Sequence, residues 1–195
     1  TTDQSSDWAR ASAEERPNII VLMTDDQDRA SVEVMENVKK YFRAEGTEFT
    51  RYFDSFSLCC PARASMLTGQ YPHNHGNWGN ALPNGGYQKL HPVEGAPANV
   101  LPEWLQQAGY HTAYIGKYLN DYGTRNSTEV PPGWNEWYGL STPVPLYFDF
   151  ELTKKPAGAS DAQVVRYGAQ TGDNSECDFH PEDGVCYQTD VLARK

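Results

Sequence analysis

The stretch Asn99–Tyr118, NVLPEWLQQAGYHTAYIGKY, joins a helix pattern to a strand pattern. Leu101, Leu105 and Ala108 recur at helical spacing, with a proline in the first turn and a glycine at the end. The residues that follow, His111–Ile115, are predicted to form a strand. A helix that leads directly into an apolar strand is typical of α/β proteins.

A second strand is predicted upstream, over the apolar run Asn18–Met23, which suits a strand buried in a parallel sheet. Asp25 and Asp26 come just after it, at the strand end where open α/β sheets bind ligands. Residues 31–46 have apolar positions at helical spacing and a final glycine, which predicts a crossover helix. We therefore expect a doubly wound α/β architecture with a largely parallel central sheet flanked by helices.

The remaining segments give weaker patterns. Thr47–Phe56 is predicted to be a strand or an extended segment. From Asn120 onward the chain is rich in proline, glycine and aromatic residues, which indicates an irregular excursion rather than a new domain. A last helix is predicted to begin at a cap formed by Thr189 or Asp190.

Composition limits the class of partner. The 195 residues carry a formal charge of -10, and the 16 basic residues form no block, which disfavours nucleic acid as a partner. No apolar run approaches the roughly 18 residues that a membrane span needs. We expect residues 1–16 to be an N-terminal extension and residues 17–195 to belong to one globular domain.

Two cysteines, Cys177 and Cys186, bracket a loop that contains proline and glycine. A local disulfide there would favour an oxidising compartment, and two free surface thiols are the alternative. The adjacent Cys59 and Cys60 could be a buried apolar pair, or one of them could pair with another cysteine. Asn126 begins NST, an acceptor sequence for N-glycosylation.

The segment Cys59–Gly69, CCPARASMLTG, fits a Cys-x-Pro-x-Arg pattern followed by Leu, Thr and Gly. It resembles the type I sulfatases of the alkaline phosphatase superfamily, and NIIVLMTDDQ is similar to their metal-binding strand. CCP, GKYLN, PPGW and TDVLARK are similar to the branch of the N-acetylglucosamine 6-sulfatases and the extracellular heparan 6-O-endosulfatases. The resemblance runs from Pro17 to Lys195 and implies an alkaline-phosphatase-like α/β sandwich, with this chain as the N-terminal part of an incomplete catalytic domain.

The resemblance assigns the two cysteines different roles. Cys59 would be oxidised to formylglycine during secretion by a formylglycine-generating enzyme, and Cys60 would be the variable residue of the pattern. A hydrated aldehyde offers one hydroxyl to attack sulfur and a second whose deprotonation lets the aldehyde reform and sulfate leave. Arg63 would orient the nucleophile, and Lys117 would bind a sulfate oxygen.

The same resemblance implies a metal site formed by Asp25, Asp26 and the modified Cys59. Adjacent carboxylates repel each other unless a cation holds them, and hard oxygen ligands suit calcium, with magnesium as the lesser choice. An acidic turn at a strand end is the alternative. The family's other ligands come from a later segment, so we expect a C-terminal remainder of the same protein as a partner.

Substrate contacts are expected from Asn120 and from His75, unless the latter is an ordinary loop histidine. Leu119 stands where many sulfatases have a histidine, so the resemblance also makes Asn120 the candidate for orienting the nucleophile. The substrate implied is a sulfate ester of a sugar, such as the 6-sulfate of glucosamine in a glycosaminoglycan. The enzyme would then be secreted, in an extracellular, lysosomal or periplasmic-type compartment. Two alternatives are a phosphonate or phosphodiester hydrolase of the same superfamily, and a non-catalytic secreted fragment with Cys59 in a disulfide.

Overall fold

A computed structural model describes residues 16–141, 147–168 and 186–195 of the chain. The chain divides after Tyr52 into two compact units. The extension predicted over residues 1–16 lies, except for Arg16, outside the described residues.

The first unit contains short helical segments and no strand among its described residues. A 3-10 helix spans Ala30–Val34, helix α1 spans Glu36–Val38, and a π-helical turn spans Lys39–Arg43. The continuous helix predicted over residues 31–46 is therefore divided into three consecutive segments.

The strand predicted over Asn18–Met23 does not form. These residues have no regular secondary structure, and Ile20 and Leu22 are 81% and 72% exposed. A strand requires a hydrogen-bonding neighbour, and the described residues of this unit offer none. Thr47–Phe56 also forms no strand, although it was predicted to be a strand or extended.

The second unit begins with helices. Helix α2 spans Cys59–Thr68, α3 Pro72–His75, α4 Tyr87–Leu90 and α5 Leu101–Gln107. The prediction for α5 is confirmed, with Pro102 in its first turn. Its first turn is stabilised by the Glu103 carboxylate, which accepts hydrogen bonds from the backbone N–H groups of Ala98 and Val100 at 3.2 and 3.1 Å.

A four-stranded sheet follows, in the order β1-β2-β3-β4, formed by strands Ala113–Gly116, Glu136–Leu140, Phe150–Lys155 and Gln163–Tyr167. Strand β1 confirms the prediction for this region with a shift of one or two residues. It pairs in parallel with β2, whereas β2–β3 and β3–β4 are antiparallel. The chain is α/β as predicted, and its described sheet is mixed rather than largely parallel.

The region after Asn120 is more ordered than the sequence predicted, because it supplies three of these four strands. The last helix, α6, spans Gln188–Leu192 and follows Tyr187, so the cap predicted at Thr189 or Asp190 was wrong. None of the described helices is both long enough and apolar enough to cross a membrane.

An aromatic cluster forms the core next to β1 and β2. Trp137 is fully buried, stacks on Tyr114 with ring centroids 4.8 Å apart, and donates its indole N–H to the hydroxyl of Tyr122 at 2.7 Å. A second buried cluster joins β3 and β4 to α6, through Phe150 and Val191. The first cluster anchors the loop after β1, which carries Lys117.

Candidate active site

The first residue of helix α2 is Cys59. Leu58 precedes it in an extended conformation, and Pro61 lies in the first turn, where its missing N–H removes no helical hydrogen bond. The helix ends at Gly69, whose φ of 65° is in the left-handed region that favours glycine. This local sequence therefore places the Cys59 side chain at the beginning of a ten-residue helix.

Lys117 lies at the end of β1, directly after Gly116, and reaches this helix start. Its ammonium nitrogen donates to the Cys59 sulfur at 3.4 Å. Cys59 is half-buried and is not part of a disulfide. The structure thus brings together two of the three residues predicted to be catalytic.

Arg63, the third of them, lies one turn after Cys59 and is 8% exposed. Its guanidinium donates to the backbone carbonyl of Lys117 at 2.6 Å and to the hydroxyl of Tyr114 at 3.5 Å. The Tyr114 hydroxyl donates to the same carbonyl. Arg63 therefore holds the backbone of Lys117, and its contact with the modified residue 59 stays a prediction.

Cys60 is fully buried and has a free thiol. Burial raises the pKa of this thiol to about 11, so it is protonated at neutral pH. It donates to the side-chain oxygen of Asn120 at 3.4 Å, and its sulfur accepts the backbone N–H of Asn120 at 3.0 Å. Asn120 therefore contacts Cys60, and its predicted role toward substrate stays a prediction.

His75 is held by hydrogen bonds at both ring nitrogens. Its Nδ1 accepts the backbone N–H of Asn77 at 3.0 Å, and its Nε2 lies 3.0 Å from the Ser65 hydroxyl. Burial, with a smaller contribution from His73, lowers the pKa of His75 below its ordinary value. His75 is the last residue of α3 rather than a loop residue, and these contacts satisfy its ring, so a role in binding substrate stays a prediction.

The two predicted metal carboxylates, Asp25 and Asp26, belong to the first unit and are exposed. Asp26 has a φ of 52°, a left-handed conformation that aspartate tolerates better than most residues. Two adjacent carboxylates are a donor set of hard oxygen atoms, which fits calcium or magnesium.

Cys186 is disulfide-bonded, and its predicted partner Cys177 lies outside the described residues. Cys59 forms no disulfide in the structure, contrary to the alternative that places it in one. Asn126, in the glycosylation sequence, donates its side-chain amide N–H to the Glu94 carboxylate at 2.6 Å, and its glycosylation stays a prediction.

The sequence did not predict two of the contacts at this site. One joins Tyr114 to the Lys117 carbonyl, and the other joins Cys60 to Asn120. Tyr114 lies in β1, three residues before Lys117, and a strand pattern does not predict that its hydroxyl donates to the Lys117 carbonyl. Residues 60 and 120 are too far apart in sequence for any spacing rule to join them.

Comparison with known proteins identifies the family of the chain. The family model described as Sulfatase matches residues 17–176. The chain is 38% identical over 176 residues to N-acetylglucosamine-6-sulfatase of Homo sapiens, covering 87% of this chain and 32% of that protein. It is 40% identical over 138 residues to the extracellular sulfatase SULF-1 homolog of Drosophila melanogaster, covering 68% and 12% respectively. An arylsulfatase of Volvox carteri is 39% identical over 138 residues, covering 68% and 21%.

The fold and this site define an α/β protein of the alkaline-phosphatase-like class. Within that class the chain belongs to the sulfatase family, and the predicted branch is confirmed by its relatives. No solved structure matches the chain. The matched segment spans between 12% and 32% of the length of the relatives named above.

Proposed function

We propose that the protein containing this chain hydrolyses sulfate esters, with a nucleophile made from Cys59. The observation that carries the proposal is the 3.4 Å contact between the Lys117 ammonium and the Cys59 side chain at the beginning of α2. An ammonium beside the nucleophile can bind a sulfate oxygen and stabilise the charge that develops during attack. The backbone N–H groups of the first helical turn add a positive partial charge there.

Residue 59 is proposed to act as formylglycine. In that form it supplies a hydrated aldehyde, with one hydroxyl to attack sulfur and a second to lose a proton so that sulfate is released. Arg63 fixes the backbone of Lys117 and so holds its ammonium toward residue 59. The buried aromatic cluster around Trp137 keeps β1, and with it this loop, in place.

Calcium is the proposed cofactor, with Asp25 and Asp26 as ligands and magnesium as the lesser choice. A divalent cation bound there would neutralise the two carboxylates and polarise a sulfate oxygen. The proposed remaining ligands come from polypeptide other than residues 17–195, as the small share of each relative that the chain covers suggests.

The proposed substrate is a sulfated sugar such as a glucosamine 6-sulfate of a glycosaminoglycan. The similarity to N-acetylglucosamine-6-sulfatase and to an extracellular sulfatase supports this choice. The disulfide at Cys186 supports an oxidising compartment, and we propose secretion to an extracellular or lysosomal location. Maturation would require a formylglycine-generating enzyme as a transient partner.

The test uses the full-length protein expressed with such an enzyme. A formylglycine at position 59 makes the peptide about 18 Da lighter than the cysteine form. We expect this mass change, hydrolysis of glucosamine 6-sulfate units, and loss of turnover in Cys59→Ser with the fold retained. Substantial activity of Cys59→Ser would refute the nucleophile, and a preference for phosphonates or phosphodiesters would refute the sulfatase assignment.

A further inference from the structure

The buried thiol of Cys60 connects two segments of the candidate active site. Cys60 follows Cys59 in the first turn of α2, and Asn120 lies three residues after Lys117. The Cys60 sulfur accepts the Asn120 backbone N–H at 3.0 Å, while its thiol donates to the Asn120 side-chain oxygen at 3.4 Å. One sulfur atom therefore makes two hydrogen bonds to one residue of the loop.

Cys60 and Asn120 each make a further backbone hydrogen bond to another residue. The backbone N–H of Cys60 donates to the side-chain oxygen of Asn80 at 3.0 Å. The backbone carbonyl of Asn120 accepts the N–H of Tyr87 at 2.8 Å. Because the backbones of Cys60 and Asn120 are both held, the contact of the thiol with Asn120 sets the distance between the beginning of α2 and the loop after β1.

We propose that Cys60 is a positioning residue of the active site, which holds Lys117 at its distance from residue 59 through Asn120. The inference rests on the proposed function, because it assigns Cys60 a part in that reaction. The lysine side chain is long and flexible, so its ammonium is placed accurately only where its backbone is fixed. A misplacement of about 1 Å at a reacting centre can lower the rate about 100-fold.

The chemistry of the side chain explains why a thiol fits. Cys60 is fully buried in the aromatic cluster with Tyr87 and Tyr118, so the site requires both apolar volume and a group that donates and accepts. Valine has similar volume but leaves the Asn120 N–H without its acceptor. Serine keeps both hydrogen-bonding functions with shorter reach.

The kinetic test compares Cys60→Val and Cys60→Ser in the full-length enzyme, with kcat divided by the fraction of residue 59 converted to formylglycine. We expect Cys60→Val to lower kcat at least about tenfold, with a smaller change in KM, because the ammonium acts most strongly on the charge that develops in the transition state. Cys60→Ser should recover most of the lost kcat. A lower melting temperature with unchanged kcat in Cys60→Val would show a purely structural role and overturn the proposal.

A second test does not depend on sulfatase activity. In a Cys59→Ser background, iodoacetamide labelling of Cys60 is followed by peptide mass with and without Asn120→Ala. Loss of the Asn120 contact should speed labelling at least about tenfold, because local opening exposes the buried thiol. An unchanged labelling rate would show that Asn120 does not hold Cys60. An inactive wild-type enzyme would refute the proposed function, while the labelling rates would still decide this contact.

Discussion

The Lys117 ammonium lies 3.4 Å from the Cys59 sulfur, although the two residues are 58 positions apart in the sequence. The contact joins the end of strand β1 to the beginning of helix α2. Arg63 reinforces it, since its guanidinium lies one turn along α2 and donates to the Lys117 carbonyl at 2.6 Å. The proposed nucleophile Cys59, the Lys117 ammonium and the Arg63 guanidinium are thus linked by direct contacts, and the proposed role of each can be tested separately.

Removal of the ammonium should disable the site. We expect Lys117→Ala to lower kcat/KM for a sulfate ester at least about 100-fold, because charge developing on sulfate loses its partner. Lys117→Arg should retain part of the rate. Lys89→Ala, at an exposed position of α4, is the matched control and should leave kcat/KM unchanged. A Lys117→Ala enzyme within twofold of wild type would show that this lysine takes no part in catalysis.

Replacement of the buried guanidinium should affect both stability and rate. Arg63→Lys keeps the charge, but a single ammonium cannot reproduce the contacts with both the Lys117 carbonyl and the Tyr114 hydroxyl. We expect the free energy of unfolding in urea to fall by about 1.5–3 kcal/mol, the range for hydrogen bonds of charged groups. We also expect kcat/KM to fall at least about tenfold. Arg166→Lys, at an exposed ion pair with Asp149, should change neither quantity.

Loss of one proposed metal ligand should reduce metal content and rate together. Asp26→Asn removes a negative charge from the proposed calcium site, so bound calcium measured by elemental analysis should fall with activity. Asp161→Asn, at an exposed position, changes the charge by the same amount and serves as the control. After chelation, readdition of calcium should restore the activity of the wild-type enzyme but not that of Asp26→Asn. Full calcium content and normal turnover in Asp26→Asn would contradict the assignment of this ligand.

A buried histidine outside the site should make stability depend on pH. His91 is 1% exposed, and burial lowers its pKa to about 4 from an ordinary value of 6.5. Its Nε2 contacts the Tyr118 hydroxyl at 3.1 Å, its ring stacks on Tyr87, and the guanidinium of Arg125 donates to its backbone carbonyl. The positive charge of Arg125 also disfavours a protonated ring.

Because the folded state binds this proton less readily than the unfolded state, stability should rise with pH between about 4 and 6.5. The stabilisation is fully present above pH 6.5 and is lost by about pH 4, and it amounts to about 3 kcal/mol. Urea unfolding across this range should show the slope in wild type and a smaller slope in His91→Phe. His111→Gln, at an exposed histidine, serves as control, and an equal slope in His91→Phe would contradict the assignment.

The local sequence was sufficient to predict those elements whose structure depends on residues close to one another along the chain. Helix α5 was predictable because its apolar spacing, Pro102 and the final glycine all act within a few residues. The beginning of α2 at Cys59 follows from the same kind of local signal, with Pro61 in the first turn. Strand β1 was found with its boundary shifted by one or two residues.

The sequence therefore determined by itself the α/β class and the succession of helix α5 and strand β1. It also singled out Cys59, Arg63 and Lys117 as candidate site residues. Only the tertiary structure decided that β2, β3 and β4 form, because a strand gains its hydrogen bonds from a neighbour distant in sequence. For the same reason the apolar run Asn18–Met23, with no neighbour among the described residues of its unit, forms no strand. The contacts of Lys117 with Cys59 and of Asn120 with Cys60 likewise depend on how the residues after β1 lie beside the beginning of α2, which no pattern within one segment encodes.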